Sequence, residues 1–510
     1  MNFEELLSKV GIEVPERLVG REVSAIVTDS RKAVKNCIFV CLCGTRCDGH
    51  DHIEEAIAAG AEVIVAEKVR GVREGGAALT LVNNTKLCAS LLYNEWYGRP
   101  AEAMKIIGVT GTNGKTSVAC MMRSIFEQAG YSCGLVGTLG VYSNQTRLDG
   151  VELSVTNMTT PDPADLFRYL DQMRRDNVEY VFMEVSSHAL SQYRVAPITF
   201  DCAVFTNLAP EHLDFHKDME SYYKAKEILF AQCRRAIVNT DDAAGGRLLH
   251  FLEQNEVPVQ SCSRVQGDFC ALLGNHTNEC GIEYIFSSAK GQQRVILPNF
   301  SANFQIENSL IAASVAESYG ISRENILSAF LKMDGVCGRM ERLLIHPKQQ
   351  IEVFIDYAHT PDALEKVLSD LRQAKSGDAH IVLIFGCGGD RDRSKRKPMG
   401  QIASRLADFI VISADNSRSE PVENIISDIM RGIDKEKPHA VILDRRLAIR
   451  RAIFEFTSPG DVLLIAGKGH ERYEIDAFGV RPFDEREIVR EALDEFYANT
   501  DVRKERRDES

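Results

Sequence analysis

"KIIGVTGTNGKTSVACMMRSIFEQAG", Lys105–Gly130, is the stretch whose reading decides the fold. The apolar run "KIIGV" discharges into a glycine-spaced loop, and the loop enters the helical pattern "TSVACMMRSIFEQAG". Strand, loop and helix in that order are the parts of a phosphate-binding loop. Gly111 and Gly114 let the backbone curl around Thr112 and Asn113 with its N–H groups turned inward. Lys115 is spaced to reach the outer phosphates of a nucleotide, and Thr116 to hold Mg²⁺ through its hydroxyl. The helix N-terminus adds a favourable potential for anions. The strict pattern wants a glycine where this chain has Val109; the glycines fall at Gly108, Gly111 and Gly114 instead. A plain glycine turn with a chance Gly-Lys-Thr is the alternative, and the flanking strand and helix argue against it.

Working outward, the same habit recurs. "YVFMEV" runs into "SSHAL" and "CAVFTNL" into "APEHLDFH". In the last third, "EVFIDY" runs into "AHTPDAL", "IVLIFG" into "CGGDRDRSKR", "FIVIS" into "ADNSRSEP" and "VLLIAG" into "KGHERYE". Val- and Ile-rich strands alternating with helical segments predict α/β units with parallel sheets. Ligands bind at the carboxyl ends of such strands, so two parts of the chain present binding edges and one site is expected between them.

The 510 residues suggest roughly three domains. Joints at "YGRPAEA" near Pro100 and "KMDGVCGRME" near Gly335 divide the chain into 1–100, 101–336 and 337–510. The composition, 44% apolar and 26% charged, is that of a soluble globular protein. A net charge of −13 argues against a general nucleic-acid binder. No apolar run is long enough to span a bilayer, and the acidic "MNFEELLSKVGIEVPERL" is unlike a signal peptide, so a cytoplasmic protein without membrane insertion is expected. The charged "DVRKERRDES" reads as a frayed tail. The 14 cysteines are scattered; Cys37, Cys41, Cys43 and Cys47 lack paired CxxC knuckles and read as core thiols rather than a zinc site, with Cys41 and Cys43 on one face of a strand.

"GTNGKT", "TTPDP", "EVSSHAL", "EHLDFH", "YYKAKEILF", "GRMERL", "DYAHTPDALEKVL", "GCGGDRDRSKR", "DNSR" and "GKGHE" follow one another from about Thr28 to about Glu471. In that order the chain resembles the Mur ligase family, most closely the members that add the third residue of the peptidoglycan stem peptide. The resemblance implies three α/β domains: a Rossmann-like N-terminal domain for the UDP end of the substrate, a central P-loop mononucleotide-binding domain with a parallel sheet, and a Rossmann-like C-terminal domain for the amino acid. It implies an ATP-dependent ligase, acting as a monomer, that phosphorylates the carboxylate of UDP-N-acetylmuramoyl-L-alanyl-D-glutamate and joins the acyl phosphate to an amine. Cations must screen the two anions that meet in such a step.

By the same resemblance Lys115, Glu184, His212 and Lys226 are catalytic. Glu184 and His212, each read at a strand end, join Thr116 as metal ligands, although hard Mg²⁺ usually prefers oxygen to imidazole. From the sequence alone Lys226 reads as a solvated lysine on an amphipathic helix; the family implies that it carries a carbamate. The nucleotide falls to Gly111, Thr112, Asn113, Gly114, Lys115, Thr116, Asn308, Arg339, Asp356 and His359. "SANFQIEN" departs from the family pattern, with Gln305 where asparagine is usual. The sugar-peptide substrate falls to Ser30, Thr159, Thr160, Ser186, Gln192 and Arg194. Ser30 and Arg31 otherwise read as a helix cap and a solvated base.

Members of the family add either meso-diaminopimelate or L-lysine. Diaminopimelate carries a further carboxylate, and its site should offer a cation that a lysine site would avoid. The diaminopimelate subgroup has "DNPR"; this chain has "DNSR", keeping Arg418 and exchanging the stiffening proline for Ser417. Diaminopimelate is therefore expected against Arg391, Asp415, Asn416, Arg418, Gly467 and Glu471. L-lysine addition, polyglutamate ligation, a non-catalytic scaffold of cell-wall assembly and a P-loop switch are the rival readings.

Overall fold

Every apolar run quoted above forms a strand, and every polar run after it leaves the strand's carboxyl end. The computed structural model describes residues 1–44, 47–68, 76–150, 158–277, 281–375 and 377–508. Three main sheets carry the architecture. The first holds Ala25–Val27, Cys37–Val40, Ala61–Ala66 and Ala78–Leu81, parallel and in chain order.

The second sheet has eleven strands. Its parallel interior places Lys105–Thr110 between Tyr180–Glu184 and Cys202–Phe205, and continues outward through Cys133–Gly137 on one side and Ala236–Asn239, Val259–Ser263 and Phe269–Thr277 on the other. Neighbours of Lys105–Thr110 thus come from later in the chain on both sides, which makes its carboxyl end a switch point where a ligand crevice opens. The expected parallel sheet is corrected at its edges: Gly140–Ser143 and Thr146–Arg147 on one, Gly281–Ser288 and Gly291–Leu297 on the other, pair antiparallel. Tight turns allow this at Thr138 and Leu139, Asn144 and Gln145, and Ala289 and Lys290, because only antiparallel strands can be joined by two residues.

The third sheet runs Glu341–Leu343, Glu352–Asp356, Val462–Ala466, Ile381–Phe385, Phe409–Ile412 and His439–Val441, parallel except at Glu341–Leu343. Its strands read as unbroken apolar runs because both faces are covered. Phe354, Leu383 and Leu464 pack with Leu364 and Met399 on one face. Val353, Ile384 and Ile465 pack with Ile449 and Ile488 on the other. Burial on both faces is the usual environment of parallel strands.

Two expectations are corrected here. The backbone from Asp501 to Asp508 is helical, continuing Glu485–Asp508 rather than fraying. Of the four clustered thiols, Cys37 and Cys41 are buried but Cys43 and Cys47 are exposed, because the strand ends at Val40 before it reaches them.

Candidate active site

The phosphate loop is built from steric necessity. Gly111 has φ 149° and Gly114 φ 87°, and a Cβ on them would stand 1.9 Å from Thr206 Oγ1 and 2.5 Å from Asn308 Oδ1. The loop is laced to the end of the neighbouring strand: Thr112 N donates to Asn207 O (2.9 Å), Asn113 N to Asn207 Oδ1 (2.9 Å), and Thr206 Oγ1 to Asn113 O (2.6 Å). Lys115 begins the helix Lys115–Gln128 and folds back onto Gly111 O (2.9 Å) and Thr112 O (2.7 Å). Thr116 Oγ1 donates to Glu184 Oε2 (2.8 Å), and Thr138 holds both carboxylate oxygens of the buried Glu184 through its N–H and hydroxyl.

Lys226 is the largest departure from the sequence reading. It is 2% exposed, donates to Gly111 O (2.7 Å) and lies 4.3 Å from the centre of the Tyr222 ring. The solvated lysine is Lys224, which pairs with Glu227. Burial, reinforced by the nearby Lys115 charge, pushes the Lys226 ammonium well below the usual lysine range. His212 is not at a strand end: the strand closes at Phe205, and His212 precedes the short helix Leu213–His216 with φ 55°. Its ring stands edge-on to His188 (4.7 Å between centroids), and burial lowers the pKa of both imidazoles. Glu211, missed in the sequence, lies between His212 (3.7 Å) and His359 (3.9 Å) and faces Lys115 and Lys226.

Arg339, Asp356 and His359 come from the third sheet's side and meet the loop across a cavity of about 430 Å³. Arg339 Nη2 donates to Thr116 Oγ1 (3.3 Å), and its guanidinium lies 4.5 Å from the Tyr357 ring centre. Asn113 Nδ2 donates to Asp362 Oδ2 (2.7 Å), a second link across the same gap. Asp356 accepts from Met340 N and Ala358 N (both 2.7 Å), and burial pushes its carboxyl up to about 6. Asn308 lines the cavity beside Gly114. Gln305 does not face it: Oε1 accepts from Ser301 N (3.0 Å) and Ala302 N (2.9 Å), and Nε2 donates to Arg339 O (3.3 Å). The longer amide thus shapes the turn into Phe304–Ser318.

Thr160, Ser186, Gln192 and Arg194 form one network. Thr160 Oγ1 donates to Glu184 O (2.8 Å), Ser186 N to Thr160 Oγ1 (3.1 Å), and Arg194 to Thr160 O and Gln192 Oε1 (both 2.8 Å). Thr159 accepts from Thr138 Oγ1 (3.2 Å). Ser30 stands apart in the first sheet's unit and donates to Glu55 Oε2 (2.8 Å). The helix cap there is Asp29, which also pairs with the exposed Arg31.

The "DNSR" loop is no solvent-facing turn. Asp415, Asn416 and Ser417 are buried and Arg418 is half-buried with φ 54°. Asn416 is the hub: Oδ1 accepts from Lys468 Nζ (2.8 Å) and Ile475 N (3.0 Å), and Nδ2 donates to Glu471 Oε2 (2.8 Å). Arg418 Nη1 donates to Gly389 O (3.0 Å) and Asn416 O (3.1 Å), and among the described residues the guanidinium has no carboxylate within ion-pair distance. Arg391 is exposed; its Cγ and Arg418 Nη1 stand 3.7 and 3.0 Å from where a Gly388 Cβ would lie. Burial beside Asp415 raises Glu471 to about 7. Gly467 (φ 116°) passes under Asp415, and its N–H donates to Asp356 O (3.0 Å), so this loop and the cavity-lining Asp356 end adjacent strands. Lys468, fully buried beneath the loop, was missed because its motif, "GKGHE", was read for Gly467 and Glu471 alone.

Thr116 Oγ1 and Glu184 Oε2 suit Mg²⁺: they are hard donors 2.8 Å apart, close to the roughly 2.9 Å edge of an octahedron with about 2.0–2.1 Å bonds. Among the described residues no group of three or more His, Cys, Asp or Glu is placed to hold a metal, so phosphate and water oxygens would have to complete the shell. A separate cleft of about 600 Å³ lies at the amino ends of the third sheet's strands, lined by Ser301, Arg342, His380 and Asp461, and holds none of the expected site residues. Among the described residues no helix is long and apolar enough to cross a membrane.

Three family models match in succession: "Mur ligase family, catalytic domain" over 22–87, "Mur ligase middle domain" over 109–316, and "Mur ligase, glutamate ligase domain" over 338–469. A UDP-N-acetylmuramoyl-L-alanyl-D-glutamate–2,6-diaminopimelate ligase of Clostridium acetobutylicum is 36% identical over 98% of this chain and 100% of its own. One of the same name from Trichormus variabilis is 39% identical over 97% and 99%. A solved structure of such a ligase superposes with a TM-score of 0.68 at 29% identity, covering 98% and 99% of the two chains. MurF from Acinetobacter baumannii, at 19% identity and a TM-score of 0.61 over 91% and 94%, shares the fold. With near-complete coverage on both sides, the chain belongs to the Mur ligase family.

Proposed function

We propose that this chain is an ATP-dependent amide-bond ligase that adds meso-2,6-diaminopimelate to UDP-N-acetylmuramoyl-L-alanyl-D-glutamate in peptidoglycan synthesis. The observation that carries the reading is the meeting of two strand-end edges: Arg339, from the third sheet's side, reaches Thr116 of the phosphate loop at 3.3 Å. A nucleotide held by that loop and by Asn308, Arg339, Asp356 and His359 has its phosphates facing the Thr160–Arg194 network, where a substrate carboxylate would lie. ADP bound to relatives of this fold, such as MurF from Thermotoga maritima, supports ATP as the nucleotide. We take residues 1–100, 101–336 and 337–510 as the UDP-substrate, ATP and amino-acid units.

In this reading Lys115 leaves its own loop carbonyls for the γ-phosphate and neutralises charge as the substrate carboxylate attacks. Thr116 and Glu184 would hold Mg²⁺, and His212 with a carbamate on Lys226 would serve a second position. Mg²⁺, when bound, screens the phosphates and the attacking carboxylate. An ammonium cannot ligate a metal, and Lys226 would serve only as a carbamate. Its surroundings favour that form, because burial and Lys115 keep the amine neutral enough to take up CO₂ and the resulting anion faces a cation instead of repelling it. Arg194, whose Nε lies 3.1 Å from Asp162 Oδ1, would exchange that ion pair for the incoming carboxylate.

The amine arrives at the "DNSR" loop. Arg418 and Arg391 present two cations without carboxylate partners among the described residues. Glu471, some way into the same loop cluster, presents an anion for an ammonium. A zwitterion with a second carboxylate matches that pattern, whereas lysine would set an ammonium against arginines. ADP release with the UDP-muramoyl dipeptide present tests the reading, comparing no amine, L-lysine and meso-diaminopimelate. Release that depends on meso-diaminopimelate is expected. Equal release in all three arms refutes ligation, and a preference for lysine refutes the choice of amino acid.

A further inference from the structure

Beneath the two arginines lies a buried ion pair that touches none of the expected ligands. Arg396 has no exposed side-chain surface, and its fork meets Glu420, 4% exposed, at 2.8 and 2.7 Å. Arg396 also reaches Asp428 (3.1 Å) and Gly388 O (3.4 Å). Glu420 follows Arg418 in the chain, and Arg396 begins the helix Arg396–Leu406 after the loop of Arg391. The same Glu420 carboxylate accepts from Asp390 N (3.2 Å) and pairs with Arg393 (3.2 Å). Further rungs join the loops: Gly389 N to Asn416 O (3.0 Å), and Ser419 N and Oγ to Asp390 Oδ2 (3.0 and 2.8 Å).

The pair holds strain in place. Asp390 and Arg418, facing each other across the rungs, both sit in the left-handed region, at φ 52° and 54°, a conformation that side chains other than glycine's disfavour. The loops are so close that a Cβ on Gly389 would lie 1.9 Å from Ser417 O. No proline ring restrains position 417. A bidentate arginine–carboxylate fork fixes orientation as well as distance.

We propose that Arg396 and Glu420 are positioning residues that set the register of Arg391 against Arg418 and thereby determine selection of an amino acid with a second carboxylate. The proposal rests on the reading that these arginines receive that carboxylate. Geometry of this kind governs affinity for one substrate, since a misplacement of about 1 Å can cost on the order of 100-fold.

The test measures KM for meso-diaminopimelate, ATP and the UDP-dipeptide, with kcat, in Glu420→Gln, Glu420→Gln/Ser417→Pro and Arg418→Ala. Glu420→Gln keeps the shape and removes the charge. It should raise the KM for meso-diaminopimelate about tenfold, narrow its advantage over L-lysine, and leave the other two KM values and kcat within about twofold. Ser417 donates no backbone hydrogen bond among the described residues, so proline there should recover part of the loss by stiffening the loop. An unchanged diaminopimelate KM in Glu420→Gln, with a raised one in Arg418→Ala, overturns the positioning role alone. An unchanged KM in Arg418→Ala overturns the underlying reading of the loop. Equal loss for all substrates, without rescue by proline, marks a general structural role and also overturns the proposal. Should Glu420→Gln fail to fold, Asp390→Asn weakens the exposed rung of the same ladder; a selective rise in the same KM is expected, and no rise overturns the proposal.

Discussion

Replacing Lys115 by methionine should change the chemical state of Lys226. Both nitrogens donate to Gly111 O, at 2.9 and 2.7 Å, so they lie within about 5.6 Å, where two cations at an effective dielectric of about 20 repel by about 3 kcal/mol. Removing one cation should let the other hold its proton to higher pH. Burial, the larger cause of the depression, and the opposing Glu211 both remain. Carbamate formation consumes the neutral amine and CO₂ and releases a proton. Lys115→Met therefore disfavours it twice, by protonating the amine and by removing the cation that faces the product anion. The assay is carbon-13 NMR of the protein in labelled bicarbonate across pH. The wild type should show a carbamate carbon that Lys226→Met lacks, and in Lys115→Met its half-formation should move to higher pH. An unmoved titration refutes the coupling, and a carbamate that survives in Lys226→Met refutes the assignment. The unmodified amine also tunes stability. Its native pKa lies below the unfolded value, so the unfolded chain binds more protons between the two and stability rises with pH across that window; Lys115→Met should flatten the rise.

Gly114→Ala should abolish nucleotide binding measured by calorimetry while the fold persists, because its Cβ would stand 2.5 Å from Asn308 Oδ1 at φ 87°. Arg418→Ala should raise the KM for meso-diaminopimelate by about 10–100-fold, the cost of about 1.5–3 kcal/mol for a hydrogen bond to a charged group, with ATP binding unchanged in the same calorimeter. Glu471, raised to about 7, should make the KM for meso-diaminopimelate fall as pH rises through 7 and the carboxylate ionises; Glu471→Gln should erase that dependence. Because its native pKa lies above the unfolded value, the native state binds more protons between them, and stability without substrate should decline as pH rises through this window. Gln305→Ala strands two buried N–H groups, Ser301 N and Ala302 N, and should lower stability to denaturant by about 2–4 kcal/mol.

What the sequence made legible followed from local rules. The Lys105–Gly130 pattern located the strand, the glycine loop and the helix because all three signals are local. The apolar runs of the third sheet were read as strands because burial on both faces leaves no polar positions to confuse the period. Failures came where distant segments decide. Lys226 looked solvated because helix periodicity cannot show that one turn is covered by a loop 115 residues away. Gln305 looked like an altered nucleotide contact because its real partners, two N–H groups and the Arg339 carbonyl, are brought together only by the fold. Glu211 was overlooked beside His212, although an acid next to a motif histidine was visible. The antiparallel edges of the central sheet and the end of the Cys37–Val40 strand hinge on turn geometry, to which apolar pattern is blind.

The contacts across the cleft have a common property that bears on how the ligase works. Arg339 to Thr116 and Asn113 to Asp362 both use groups of, or beside, the phosphate loop. In the proposed reading a nucleotide's phosphates would compete for those same groups, so binding would exchange links between protein segments for links through the ligand. Glu211 stands at the middle of this exchange, 3.7 Å from His212 on the central sheet's side and 3.9 Å from His359 on the other. Burial keeps His359 down at about 4, so at neutral pH the ring is uncharged and Glu211 gains no ion pair across the gap. Asn303 Nδ2 to Gln373 Oε1 and Phe304 N to Asp370 Oδ2 (both 3.3 Å), with Ala302 and Phe304 packed on the third sheet's core, are further links between the two sides. In the proposed reading, charge-assisted contacts to the triphosphate would replace the two that the loop gives up, which are charge-assisted as well. In that reading the triphosphate would bridge the two edges, so that the substrate whose hydrolysis without an acceptor is wasteful would itself complete the site.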